Sequence, residues 1–77
     1  MAWERVGERL VKRVQKKDFA EALAYVNAVG ALAEEVDHHP DILIEWNKVT
    51  LTLWTHTAGG ITAADDALAE RIEQLDV

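Results

Sequence analysis

The apolar residues of this chain change their period across a single proline, and that change demands a fold in which a helix hands over to a sheet. Ahead of Pro40, Phe19, Ala22, Leu23, Val26, Val29, Leu32, Ala33 and Val36 recur at steps of three and four, one face of a helix over residues 18–36. Beyond it, ILIEWNKVTLTLWTH alternates: Val49, Leu51 and Leu53 point one way, Thr50, Thr52, Trp54 and His56 the other. Proline disfavours helical backbone in the residue before it, so His39 is extended and the helix must end near Asp37, turning through His38.

Local signals place the remaining boundaries. Asp18 followed by Glu21 has the form of a capping box, and so does Thr62 followed by Asp65 in TAAD. The second opens a helix whose expected buried side is Ile61, Ala64, Leu68, Ile72 and Leu75. Gly30 costs a helix interior about 1 kcal/mol relative to alanine, which implies close approach of another backbone there. Asn47-Lys48 reads as the two-residue turn of a hairpin, because asparagine tolerates positive φ. That turn sets Trp46 opposite Val49, Ile44 opposite Leu51 and Ile42 opposite Leu53, which makes Trp46 a core residue. Continued to the open end, it sets His39 opposite His56, with paired side chains ~4.5–5.5 Å apart at Cβ. Two of the three histidines are thereby expected to converge at a helix-to-strand junction, beside the third, His38.

Composition narrows the function. At 77 residues the chain is one domain, 1–77, which buries only ~60% of its unfolded surface, and without cysteine it has neither a disulfide nor a thiolate to use. Self-association is the expected reinforcement for so thin a core. A net charge of −6 argues against direct nucleic-acid binding, which needs a basic track. The early basic residues Arg5, Arg9, Lys12 and Arg13 are interrupted by Glu4 and Glu8, as on a solvated strand face. No apolar run approaches the ~18 residues of a membrane span, and MAWERVGERL is charged where a signal peptide is apolar, so a cytoplasmic, membrane-free protein is expected.

Taken singly, the polar residues have plain explanations: a lone surface histidine is usually solvated, Asp65 caps a helix, and Trp3, Trp46 and Trp54 pack. Their spacing says more. Glu34, three residues, His38-His39-Pro40, five residues, Trp46, nine residues, His56, eight residues and Asp65 resembles the signature of the pterin-4a-carbinolamine dehydratases. KDF, AEEVDHHPD, NKVTLTLWTH and AGGITAADDALA are similar to that family as well, so the resemblance spans residues 9–75.

The resemblance implies an α+β fold, a four-stranded antiparallel sheet with two α-helices packed on one face, with strands at 3–7, 9–15, 41–46 and 49–56. It implies a homodimer or homotetramer. The family's additional N-terminal helix is expected to be absent ahead of Trp3, and Trp54 stands where a small polar residue is common in the family. The implied activity is dehydration of a 4a-hydroxytetrahydropterin to the quinonoid dihydropterin during tetrahydropterin recycling, with His38, His39 and His56 as the acid/base set. Imidazole, with an ordinary pKa of ~6.5, serves either role near neutrality. Glu34 is expected to orient an imidazole or bind the pterin's amino-pyrimidine edge. Pro40, Thr55 and Trp3 are expected in the substrate pocket wall, with Trp46 and Asp65 as structural motif positions, Asp65 holding the last helix start. No metal and no cofactor are implied; the diverging His38-His39 pair makes a poor chelate. The alternative is a non-catalytic dimerisation or assembly scaffold of the same fold, which loss of the histidines would have favoured.

Overall fold

A computed structural model describes residues 3–77. The chain runs β1 (Trp3–Val6), β2 (Arg9–Gln15), α1 (Phe19–Val36), β3 (Asp41–Glu45), β4 (Lys48–Leu53) and α2 (Ala63–Glu73). The strands form one antiparallel sheet in the order β1-β2-β4-β3. Val49, Leu51 and Leu53, alternate residues of β4, are buried with Ala22, Tyr25 and Val29 of α1 and Leu68, Ala69 and Ile72 of α2. Both helices therefore cover the same face of the sheet, the α+β arrangement expected from the sequence. The expectation about a further N-terminal helix falls ahead of Trp3, outside the described residues. Among the described residues no helix is long and apolar enough to cross a membrane.

The caps form nearly as read. The Asp18 side chain accepts the Glu21 N–H at 2.9 Å, while the Glu21 carboxylate accepts the N–H of Lys17 rather than that of the cap residue. The buried face of α1 is rotated from the expected stripe: Ala22, Tyr25, Val29 and Ala33 face inward, whereas Phe19, Leu23 and Val36 are exposed. Tyr25 supplies the bulk that the sequence reading assigned to Leu23. Burial pushes its phenol up to about 12, with Glu73 adding to the shift. On α2, Leu68 and Ile72 are buried as expected, but Ala64 is exposed and Ala69 takes the inward place. A side chain at Gly30 would meet nothing within 4 Å among the described residues, so no described backbone approaches it closely.

The hairpin differs from the expected one by two residues. Ile42 pairs with Leu51 and Ile44 with Val49, and Glu45 faces Lys48, so the turn is Trp46-Asn47. A shift of two preserves the faces, and the apolar alternation is satisfied in either register. What selects the observed one is Asn47, which is buried at the end of β2. Its side-chain amide donates to the Lys16 carbonyl at 2.9 Å, and its own carbonyl accepts the Lys16 N–H at 2.8 Å. Trp46 then takes the left-handed position of the turn, at φ 54°, and is 66% exposed; it is not a core residue.

Candidate active site

Two chain reversals bring the histidines together. At the end of α1, Asp37 adopts φ 53°, and the His38 N–H closes the helix on the Ala33 carbonyl at 3.1 Å. Pro40 then carries the chain extended into β3. At the far end of β4, Thr55 bridges to Gly60, its N–H donating to the Gly60 carbonyl at 2.8 Å, and the loop between them turns through Gly59 at φ 70°. His56 opens that loop.

The strands stop short of the histidines, so the expected His39–His56 cross-strand pair does not form. The observed register, carried two residues past Asp41 and Thr52, places Trp54 rather than His56 across from His39. His38, His39 and His56 nevertheless line one open cavity of about 300 Å³, together with Asp37, Trp54 and Thr55.

Each histidine has a different partner. The His38 Nε2–H donates to Asp65 Oδ1 at 2.5 Å. Asp65 is fully buried (0% exposed), and its second oxygen accepts the Thr55 hydroxyl at 2.7 Å and the Thr62 N–H at 2.8 Å. Burial pushes the Asp65 carboxyl up, but the hydrogen bonds from His38, the Thr62 backbone and Thr55 outweigh it and hold the pKa below the ordinary carboxylate value. His39 Nε2–H donates to Glu34, in the last turn of α1. His56 stacks on the Trp54 indole, with ring centroids 4.1 Å apart and planes 29° apart, and the Arg9 guanidinium lies 4.2 Å from the Trp54 ring centroid.

Several sequence expectations are thus revised. Asp65 does start α2, as expected, but it also grips His38, 27 residues away in sequence. Glu34 orients an imidazole, that of His39. Thr55 reaches the cavity and is tied to Asp65. Trp3 is buried in the core and lines a separate apolar crevice with Leu10 and Ala69. It is therefore not a wall of the histidine cavity. Pro40 shapes the approach to β3 without lining the cavity. Trp54, Asp37, Thr62 and Arg9 were missed as site residues. Only Trp54, two residues before His56 on the same strand face, carried a local signal.

Carboxylate bonds at Nε2 fix the tautomers of His38 and His39 and leave Nδ1 as the nitrogen that can exchange a proton with a ligand. The cavity therefore offers several imidazole nitrogens within one small space, an arrangement suited to moving two protons on one substrate.

Comparison with known proteins places the chain in a family. Residues 1–75 match the family described as "Pterin 4 alpha carbinolamine dehydratase". A protein of Thermomicrobium roseum named "Putative pterin-4-alpha-carbinolamine dehydratase" is 55% identical over 73 residues, 95% of this chain and 78% of its own. A crystal structure of a transcriptional coactivator/pterin dehydratase from Brucella melitensis matches with a TM-score of 0.87 at 31% identity, over 94% of this chain and 79% of that one. A pterin dehydratase-like protein identified as a RuBisCO assembly factor in the α-carboxysome matches with a TM-score of 0.78 at 32% identity, over 95% of this chain and 87% of that one. Matched by the family over nearly all of its own residues, the chain belongs to the pterin-4a-carbinolamine dehydratase family.

Proposed function

We propose that the protein dehydrates a 4a-hydroxytetrahydropterin to the quinonoid dihydropterin by histidine acid/base catalysis, in the recycling of tetrahydropterin. The observation that carries this reading is the meeting of three histidines on one cavity, each held by a different partner. In the reaction a proton is delivered to the C4a hydroxyl, the C4a–O bond breaks and water leaves. The N5 proton is removed, and the C4a=N5 double bond forms. One group gives a proton and another takes one, so the pair is reset by proton exchange with solvent, and no redox change occurs.

His56 takes the N5 proton or relays it. His38 and His39, held by carboxylates on different helices, deliver the proton to the hydroxyl on opposite faces of the pterin. Asp65 and Glu34 hold those two rings. Acid/base catalysis of this kind contributes ~10²–10⁴-fold. Stopped-flow ultraviolet measurement of freshly generated 4a-hydroxypterin, with and without the protein, tests the reading: a faster decay to the quinonoid absorbance is expected, and an unchanged decay with folded protein contradicts it.

The likeness to a RuBisCO assembly factor favours a second reading, an assembly scaffold of the same fold. An unchanged decay in the same assay would support it.

A homodimer or homotetramer is part of the proposal. Phe19 and Leu23, 46% and 41% exposed, share one face of α1 with the bare Gly30, and β3 is a sheet edge carrying exposed Leu43. Covering such surfaces adds the burial a chain of this size lacks. Light scattering at micromolar concentration is expected to give at least twice the 8.6 kDa chain mass, and a monodisperse mass at that value rejects the assembly.

A further inference from the structure

Among the described residues, His38 and His39 each have a carboxylate at Nε2, while the ring nitrogens of His56 have no hydrogen-bond partner. His56 is also exposed, at the first position of a turn. An imidazole in that setting has several open rotamers, yet this one lies against Trp54 at a centroid distance of 4.1 Å.

The indole itself has a second neighbour. The β2–β4 register pairs Leu10 with Leu53, so the next step places Arg9 across from Trp54, and its guanidinium sits 4.2 Å from the ring centroid. Arg9 and His56 both pack against this one indole. Arg9 makes no ion pair among the described residues, which leaves the Trp54 face as its attachment. The Trp54 Nε1–H is buried without an acceptor, so the ring is fixed by what covers its faces and not by its polar edge.

We propose that Trp54 is a positioning residue for His56, braced by Arg9, and that this stack does for His56 what Asp65 and Glu34 do for His38 and His39. The chemistry of the two kinds of partner differs. A carboxylate fixes both the orientation and the tautomer of an imidazole, because it accepts only from N–H. An aromatic face fixes the orientation alone. Both nitrogens of His56 stay able to gain or lose a proton, as a base or relay on the pterin N5 edge requires. The kinetic part of this inference rests on the dehydratase reading; the structural part does not.

The test uses the full chain and the variants Trp54→Leu, Trp54→Phe and Arg9→Gln, the last two keeping a ring at position 54 should Trp54→Leu fail to fold. In two-dimensional NMR, the His56 ring protons of the wild type are expected upfield by the indole ring current. That shift is expected to disappear in Trp54→Leu, to persist in part in Trp54→Phe and to weaken in Arg9→Gln. Trp54→Leu is expected to lower kcat ~10-fold with little change in KM, and Trp54→Phe to restore most of it. In a His56→Ala background, Trp54→Leu is expected to have no further effect, because it acts through the missing ring. Equal losses in both backgrounds, or His56 ring shifts that ignore all three substitutions, overturn the proposal. A wild-type protein without dehydratase activity would reject the dehydratase reading, and the NMR comparison alone would then decide whether Trp54 positions His56.

Discussion

His56→Ala and His38→Ala are each expected to lower the dehydration rate by ~10–10³-fold while leaving the protein folded, with circular dichroism as the check on folding. His56 is exposed and its ring makes no hydrogen bond among the described residues, so its loss removes chemistry and little structure. His38→Ala also empties one bond to buried Asp65, and part of its effect is a lower melting temperature. His39→Ala is expected to fall in the same range for one stereoisomer of the alcohol and to spare the other, with His38→Ala showing the opposite preference. The His38/His56 double variant is expected to be far less than multiplicatively worse, since an acid and a base acting on one substrate fail together. Losses that multiply, or a stereoisomer preference absent from both single variants, contradict the assignment.

Asp65→Ala is expected to be costly to stability. A cap alone is worth ~1 kcal/mol, but Asp65 also accepts from the His38 ring and the Thr55 hydroxyl at full burial. Removing it strands three donors, at a cost of roughly 3 kcal/mol. For a domain of this size that lowers the melting temperature on the order of 15 °C. The pH dependence follows from the depressed carboxyl. A folded pKa below the unfolded value of ~3.9 contributes stability that is present above that value and lost as pH falls through the folded pKa. Thermal melts of the wild type and Asp65→Asn are therefore expected to differ most near neutrality and to approach one another below about pH 4. A gap that stays constant from neutral to acid pH shows that the charge on Asp65 is not what stabilises the site.

The sequence disclosed this site unevenly, for physical reasons. Caps, helix lengths and the alternation of β4 are local, and Asp18, Thr62 and the Val49–Leu51–Leu53 face stand where local rules put them. The turn was misplaced because Asn47 satisfies two different rules. Its tolerance of positive φ suggested the first turn position, whereas its amide is spent on Lys16 at the end of β2, a partner 31 residues away. That slip preserved every strand face but turned Trp46 outward and replaced His56 by Trp54 opposite His39. That Glu34 holds an imidazole was legible because it lies in the last turn of α1, just ahead of the two adjacent histidines, although its partner is His39 and not the nearer His38. His38–Asp65 and Arg9–Trp54 were not, since each depends on how separate elements pack.

If three imidazoles on one cavity carry the dehydration, 4a-hydroxypterin must decay at different rates with the wild type and with the folded triple variant His38→Ala, His39→Ala, His56→Ala. The wild type is expected to accelerate the decay by at least ~10²-fold and the triple variant to return it to the spontaneous rate. A triple variant as active as the wild type, or a wild type no faster than buffer, contradicts the account.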